Sequence, residues 1–437
     1  MKTTALSTFT ALLILFACTA AQAQFNFTTN NGEITITGYT GSGGVVLIPG
    51  STNGLLVTTI GKAAFSNCTS LVSVTIPDGV KTVEESAFFL CSSLTNLTLG
   101  TNVATIGRVA FGACSGLASV LFPDSLTAIA DWAFSYCDGL TAARIPDHVT
   151  NIGVAAFAYS SVADVTFGHS VVSIGRAALT GCTGLTNVTF ATNLTTIGIE
   201  AFLGTALTSV TIPHSVTNIA IGAFDMCRNL TAITVDPLNP AYSTLAGVLF
   251  DKSQQTLIQC PGGRLGSYTI PGTVTRIANN AFDTCVSLTS VTFPGSVTTI
   301  GDWAFRYCYH LTELYFQGNA PSIGSFPPIF DNSSTATIYY LPGTTGWTPT
   351  FGGRPTAFWF LPGPLILTAP GFGLQTNAFG FIISWATNRA VLVEASTNLA
   401  DQTWLPLRTN TLTNGSIYFS DPDWTTPPAR FYRLRSL

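Results

Sequence analysis

The most reactive side chains in this 437-residue chain are its ten cysteines and four histidines, and their spacing limits what they can do. Cys68, Cys91, Cys114, Cys137, Cys182, Cys227, Cys285 and Cys308 each lie three residues after a Phe or Leu. Disulfides are one chemistry open to cysteines of an exported chain. Here each cysteine holds the same point of a recurring segment, so stacking sets them in a ladder instead of pairing them. They read as buried free thiols filling a small slot. Ser160 and Thr205 take that slot in two segments, as a small interior site allows. Metal binding calls for Cys-x-x-Cys or a Cys/His cluster; the sequence has neither, and no metal or cofactor is expected.

His148, His169 and His214 fall just after the position that Pro usually holds, in a column shared with Asp78, Asp124 and Asp147. Such a ladder reads as a polar turn column, because catalysis needs groups that converge. No Gly-x-Ser-x-Gly, His-Glu-x-x-His or phosphate-binding loop occurs, and the chain is not expected to be an enzyme.

Recognition is the remaining chemistry. The residues flanking a repeated Ala-Phe pair vary while the frame does not. Among them are Trp132, Tyr136, Tyr159, Trp303, Arg306 and Tyr307. Aromatics and Arg carry much of the energy of protein interfaces, so these six form the candidate binding edge. The competing reading is that Trp132 and Trp303 pack over the neighbouring coil.

The frame that would position them is a repeat. Phe recurs at 65, 88, 111, 134, 157, 202, 224, 282 and 305, with Leu179 in the same slot, at intervals of 22 or 23 residues save one gap. The unit reads Ile-Gly-x-x-Ala-Phe-x-x-Cys-x-x-Leu-x-x-Val-x-Ile-Pro-x-x-Val-x-x-Ile. Alternating Leu71, Val74 and Ile76, then Val80 and Val83, mark short strands with one buried face. Pro77, Pro123, Pro146, Pro213, Pro271 and Pro294 end the first strand. Gly61, Gly107, Gly153, Gly175, Gly198 and Gly301 are expected to relax the backbone before Ala-Phe. One unit cannot bury its own apolar face, whereas stacked units can.

This unit resembles the BspA-like class of leucine-rich repeats, over roughly residues 55 to 316. The resemblance implies a non-catalytic protein of the cell surface, in a class tied to adhesion and cell–cell contact. The fold expected is an all-β-rich solenoid of 23-residue leucine-rich repeats, followed by a small antiparallel β-sandwich.

The boundaries follow from where the period fails. Residues 24–54 read as an N-terminal cap, 55–316 as the solenoid, 317–364 as a C-terminal cap and linker, and 365–437 as the sandwich. Residues 236–270 form a variant coil, with a hairpin turning near Lys252-Ser253-Gln254. Cys260 lies outside the cysteine ladder.

Residues 1–23 read as a signal peptide, with Lys2, an apolar run from Phe9 to Ala17 and cleavage after Ala21-Gln22-Ala23. A lipoprotein anchor at Cys18 is the competing reading, and the bulky Phe16 weighs against it. No later stretch is apolar for long enough to be a transmembrane helix. A net charge of −4 gives no basis for nucleic-acid binding. The expected product is a monomer, secreted or held at the cell surface, that binds an extracellular or envelope protein or a glycan. A purely structural surface role stays open, as does carbohydrate binding through Trp347, Phe351, Phe358 and Trp359 or through the tail.

Overall fold

The computed structural model describes residues 24–324, 328–333, 335–368, 371–400, 403–425 and 430–437. Residues 1–23, read as a signal peptide, and Cys18 among them lie outside the described residues. The chain divides into two compact units, the first ending at Gly247 and the second beginning at Val248.

In the first unit, Phe25–Asn30 and Glu33–Tyr39 form an antiparallel hairpin. Its turn, Asn31-Gly32, has φ of 49° and 79°, the left-handed pair that tight hairpins favour. Glu33–Tyr39 then pairs in parallel with Leu55–Ile60. From there a ladder of two-residue strands climbs one step per repeat, through Thr82–Val83, Thr105–Ile106, Ala128–Ile129 and Asn151–Ile152, to Asn218–Ile219. A second parallel sheet runs from Gly44–Leu47 through Leu71–Thr75, Asn96–Thr98, Ser119–Val120 and Ala142–Arg144 to Asp164–Thr166. Each coil up to Asp164–Thr166 thus contributes one strand to each wall. The inward residues, such as Val74, Val83 and Ile106, are fully or almost fully buried, as the alternation demands.

The phenylalanines build the third wall. Phe65 stacks on Phe88 at 4.7 Å, and Phe88 on Phe111 at 5.1 Å with planes 3° apart. The run continues through Phe134 and Phe157 at 5.2 and 5.6 Å. Parallel strands sit ~4.8 Å apart, so one ring per coil in the same rotamer stacks at close to that distance. Tyr39 covers the first ring at 5.1 Å from Phe65.

The six repeat glycines act differently from expectation. None of them has a positive φ. Instead their missing Cβ lets successive coils touch: a Cβ on Gly107 would sit 2.7 Å from the carbonyl carbon of Glu84, and one on Gly153 2.5 Å from that of Ala130. The left-handed positions lie two residues before and two after each Phe. Ala63 and Asn67, Ser86 and Leu90, and Val109 and Ala113 flank the first three rings at φ of 54–62°.

The second unit opens with the expected hairpin, Val248–Asp251 against Thr256–Gln259, with Gln254 at φ 57°. Thr256–Gln259 pairs in parallel with Arg276–Ile277, followed by Thr299–Ile300 and Ser322–Ile323. The other wall runs through Gly266–Thr269, Leu288–Phe293, Glu313–Phe316, Thr337–Tyr340 and Arg354–Phe358, where the short antiparallel strand Thr350–Phe351 closes it. Phe282 stacks on Phe305 at 4.8 Å, and Phe305 on Phe330 at 5.7 Å, so the ring column extends past residue 316. Cys260 stands in the phenylalanine column. Its N–H donates to Ala281 O just as that of Phe282 donates to Ala304 O.

Beyond Leu365 the second unit holds antiparallel sheets. Ala378–Ser384 pairs with Leu365–Leu367, Gly373–Gln375 and Ser416–Asp421, while Arg389–Ser396 pairs with Leu405–Leu412 and Phe431–Ser436. Phe381, Ile383 and Phe419 from one sheet meet Val391, Val393 and Leu412 from the other in a common core, which makes the module a sandwich. Among the described residues no helix is long and apolar enough to cross a membrane.

Candidate recognition surface

The turn segment around each Phe is built from three successive i→i+3 bonds: Ala64 N to Gly61 O, Ser66 N to Ala63 O, and Cys68 N to Phe65 O. The alternate N–H groups, of Ala63, Phe65 and Asn67, donate to Glu85, Ala87 and Phe89 O of the next coil at 2.7–3.0 Å. A left-handed conformation costs an ordinary L-residue about 1 kcal/mol. The inter-coil bond compensates for that cost, so side chains of any size occur there.

That is where the candidate edge stands. Trp132, Tyr136 and Tyr159 in the first unit, and Trp303 and Tyr307 in the second, all have φ between 53° and 59°. Their N–H groups bind the next coil: Trp132 to Val154 O, Tyr136 to Ala158 O, Tyr159 to Thr180 O and Tyr307 to Asp331 O. Tyr136 and Tyr159 are 49% and 46% exposed and stack on each other at 5.0 Å, planes 17° apart. Trp132 is half-buried. In the second unit Arg306 lies 5.2 Å from the ring centres of both Trp303 and Tyr307. Its side chain is only 19% exposed, and its guanidinium pairs with the fully buried side chain of Asp283, Nε to Oδ2 at 3.2 Å and through Nη2 as well. Arg306 therefore ties two coils together.

The thiols do more than fill space. Cys91 Sγ donates to Phe65 O at 3.1 Å, Cys114 to Phe88 O at 3.2 Å, and Cys308 to Phe282 O at 3.0 Å, always one coil back. Cys137, Cys182 and Cys227 make the same bond. Ser160 and Thr205 instead bond the Phe carbonyl of their own coil, at 2.7 and 3.0 Å, and meet the next thiol at 3.5 and 3.2 Å. The nine described cysteines are unbonded to one another. Burial raises the pKa of Cys137 to about 12 and those of Cys182 and Cys227 to about 11. These thiols are held in their neutral, unreactive form.

The histidine and aspartate column serves coil contacts. Asp78 Oδ1 accepts from Thr101 N at 2.7 Å, Asp147 Oδ1 from His169 N at 2.9 Å, and His148 Nδ1 lies 2.9 Å from Asp124 O. The backbone bonds hold the carboxyls of Asp78 and Asp147 below their usual pKa. Among the described residues no three His, Cys, Asp or Glu side chains gather into a metal site.

Aromatics of residues 340–360 divide. Trp347 packs inward against Tyr340 and Phe316, each at 5.0 Å, and Phe351 is buried with it. These two belong to the core and not to a carbohydrate face. Trp359 instead meets Tyr315 at 4.8 Å, and Tyr315 stacks on Tyr339 at 5.2 Å. The outward phase of Tyr315 and Tyr339 in their strands was the available signal for this cluster.

Parallel walls one strand per coil, leucine-type core positions and a stacked ring column define a leucine-rich-repeat solenoid. The chain belongs to the BspA type leucine rich repeat family, whose model matches residues 53–163, 150–261 and 262–345. No curated protein matches it. Among solved structures it is similar to a leucine rich cell surface protein from Faecalibacterium prausnitzii A2-165, at 31% identity and a TM-score of 0.55, over 72% of this chain and 86% of that one. It also matches a leucine-rich repeat protein from Bacteroides ovatus ATCC 8483, at 24% identity and a TM-score of 0.48, over 77% and 97% of the two chains.

Proposed function

We propose that this is an exported surface protein that adheres by recognising another protein, with no catalytic step, metal or cofactor. The observation that carries the reading is the exposed Tyr136–Tyr159 stack, two large amphipathic rings held on a hydrogen-bonded backbone. Rigid, exposed aromatics lose little conformational entropy on binding, which is why such residues anchor interfaces. Trp132 shares the left-handed backbone of these tyrosines in the first unit, and Trp303 and Tyr307, both beside Arg306, make a second patch in the next. The relative from F. prausnitzii is described as a cell surface protein, and residues 1–23 carry the features of an export signal.

The test is capture of extracellular matrix proteins and cell-envelope preparations by the purified protein. A variant with Trp132, Tyr136, Tyr159, Trp303 and Tyr307 changed to Ala runs alongside. Saturable binding to a protein, lost in the variant, supports the reading. Binding that survives all five changes removes the edge from consideration. Self-association with no partner in either panel replaces adhesion with a structural surface role.

A further inference from the structure

We infer that the strand face of the first unit, around residues 142–214, is a binding site for a neutral oligosaccharide, separate from the aromatic edge. The parallel sheet opens here. Asp164–Thr166 ends the six-stranded ladder and Ser209–Ile212 begins a new pair with Ala232–Val235. The coil between them contributes only the single bridge Thr166–Thr189. A shallow groove lies on either side of that coil's bridge. The first, about 500 Å³, includes Arg144, Asp147, Asp164, Thr166, Phe167 and His169 in its lining. The second, about 420 Å³, includes Asn187, Thr189, Thr192, Ser209, Thr211 and His214, with Asp236 at its rim.

The two grooves share a threonine and a histidine column and differ elsewhere, Arg144 and Asp147 of the first standing where Thr189 and Thr192 stand in the second. Equivalent residues sit two coils apart: Asp164 and Ser209 in one outward column, Thr166 and Thr211 in the next, His169 and His214 at the strand ends. Each histidine faces an aspartate, His169 Nδ1 at 2.9 Å from Asp147 on the preceding coil and His214 Nδ1 at 4.0 Å from Asp236 on the following one. At ~4.8 Å per coil the repeat is about 9.6 Å. Two linked pyranose rings span that length. An extended peptide repeats its side chains every ~6.8 Å and falls out of step. A polyproline helix has a repeat near 9.3 Å but docks in aromatic-lined grooves, whereas the phenyl rings in these linings are Phe167, half-exposed, and Phe190, buried.

Charge narrows the ligand further. Asp147, Asp164 and Asp236 outnumber Arg144, which disfavours a polyanion. Short hydroxyl, amide and carboxylate side chains offer donors and acceptors side by side, the pattern that vicinal sugar hydroxyls satisfy. Phe167, half-exposed, adds an apolar surface for ring carbons.

The test is calorimetric titration of the full chain with the β-1,4-linked tetrasaccharides of glucose, xylose and N-acetylglucosamine, and with their disaccharides. The expected result is saturable binding of at least one tetrasaccharide, with its disaccharide at least about tenfold weaker because it fills one groove. The triple variant Asn187→Ala, Thr189→Ala, Ser209→Ala loses about tenfold or more by removing several hydrogen bonds. Thr211→Arg, which blocks the second groove from an exposed position, gives the same loss should the triple variant melt early. Tyr136→Ala with Tyr159→Ala leaves sugar binding unchanged, so failure of the aromatic edge and failure of this site are read separately. Absence of binding by every tetrasaccharide at millimolar concentration overturns the proposal. So does binding that ignores the groove variants, and so does capture of polylysine or polyproline in the sugars' place.

Discussion

The thiol of Cys137 donates to the carbonyl oxygen of Phe111 one coil back, at 3.2 Å, and the same bond recurs along the column. Each cysteine is therefore a fastener between coils. Ser160 and Thr205 show that a hydroxyl can hold the slot by turning to its own coil's Phe carbonyl. Cys137→Ser is expected to cost under about 1 kcal/mol, and Cys137→Ala about 1–2 kcal/mol through lost volume and a lost bond. Chemical denaturation of the two variants measures the difference, and equal costs would remove the hydrogen bond from the account.

The same column makes stability sensitive to alkali. Cys137, Cys182 and Cys227 titrate at about 12, 11 and 11 in the folded chain, above an ordinary value of 9.0. Their protons are bound more tightly folded than unfolded. The resulting stabilisation is complete below pH 9 and is lost as pH climbs through 11 and 12. Thermal melts between pH 8 and 11 should fall more steeply for the native chain than for the triple Cys→Ser variant, a serine hydroxyl having no titration in that range.

Residues 107 and 109 should respond oppositely to what the repeat pattern suggests. Gly107→Ala places a Cβ 2.7–2.9 Å from main-chain atoms of residues 83–85 and should cost about 2 kcal/mol or more, in the manner of overpacking. Val109 sits at φ 56°, where a β-branched residue is strained. Val109→Gly relieves that strain and should be close to neutral, within about 1 kcal/mol. Paired melting curves decide it; a tolerated alanine at 107 would contradict the close approach.

Arg306→Ala should lower the stability of the second unit by about 3 kcal/mol, because it removes the ion-pair partner of the fully buried Asp283. Arg306→Ala combined with Asp283→Leu should recover most of that loss. The comparison of the two melts, made alongside any binding assay, separates a coil fastener from a partner contact at this position.

Much of the architecture was legible because a solenoid writes its contacts into its period. Leu71, Val74 and Ile76 recur every 22 or 23 residues, and a residue that must meet its own equivalent in the next coil leaves the same letter at the same interval. The cysteine ladder followed from that logic, whereas the hairpin at Val248–Gln259, where the period breaks, was legible from two apolar strand runs flanking a polar turn. Tertiary structure decided what the period cannot encode. The period marks Gly107 as the flexible turn residue, yet only inter-coil packing shows that it lacks room for a Cβ while Val109 bends left-handed. Cys260 sits 36 residues after Phe224 and 22 before Phe282, and the variant coil hides its place in the ring column until the amide bond to Ala281 O is seen. Trp347 and Trp359 share one aromatic-rich segment, and only the path of the closing strands sends the first ring inward and lays the second against Tyr315. Repetition specifies local contacts between neighbours, whereas burial, a ring's facing direction and an opening in a sheet depend on how the coils meet in space.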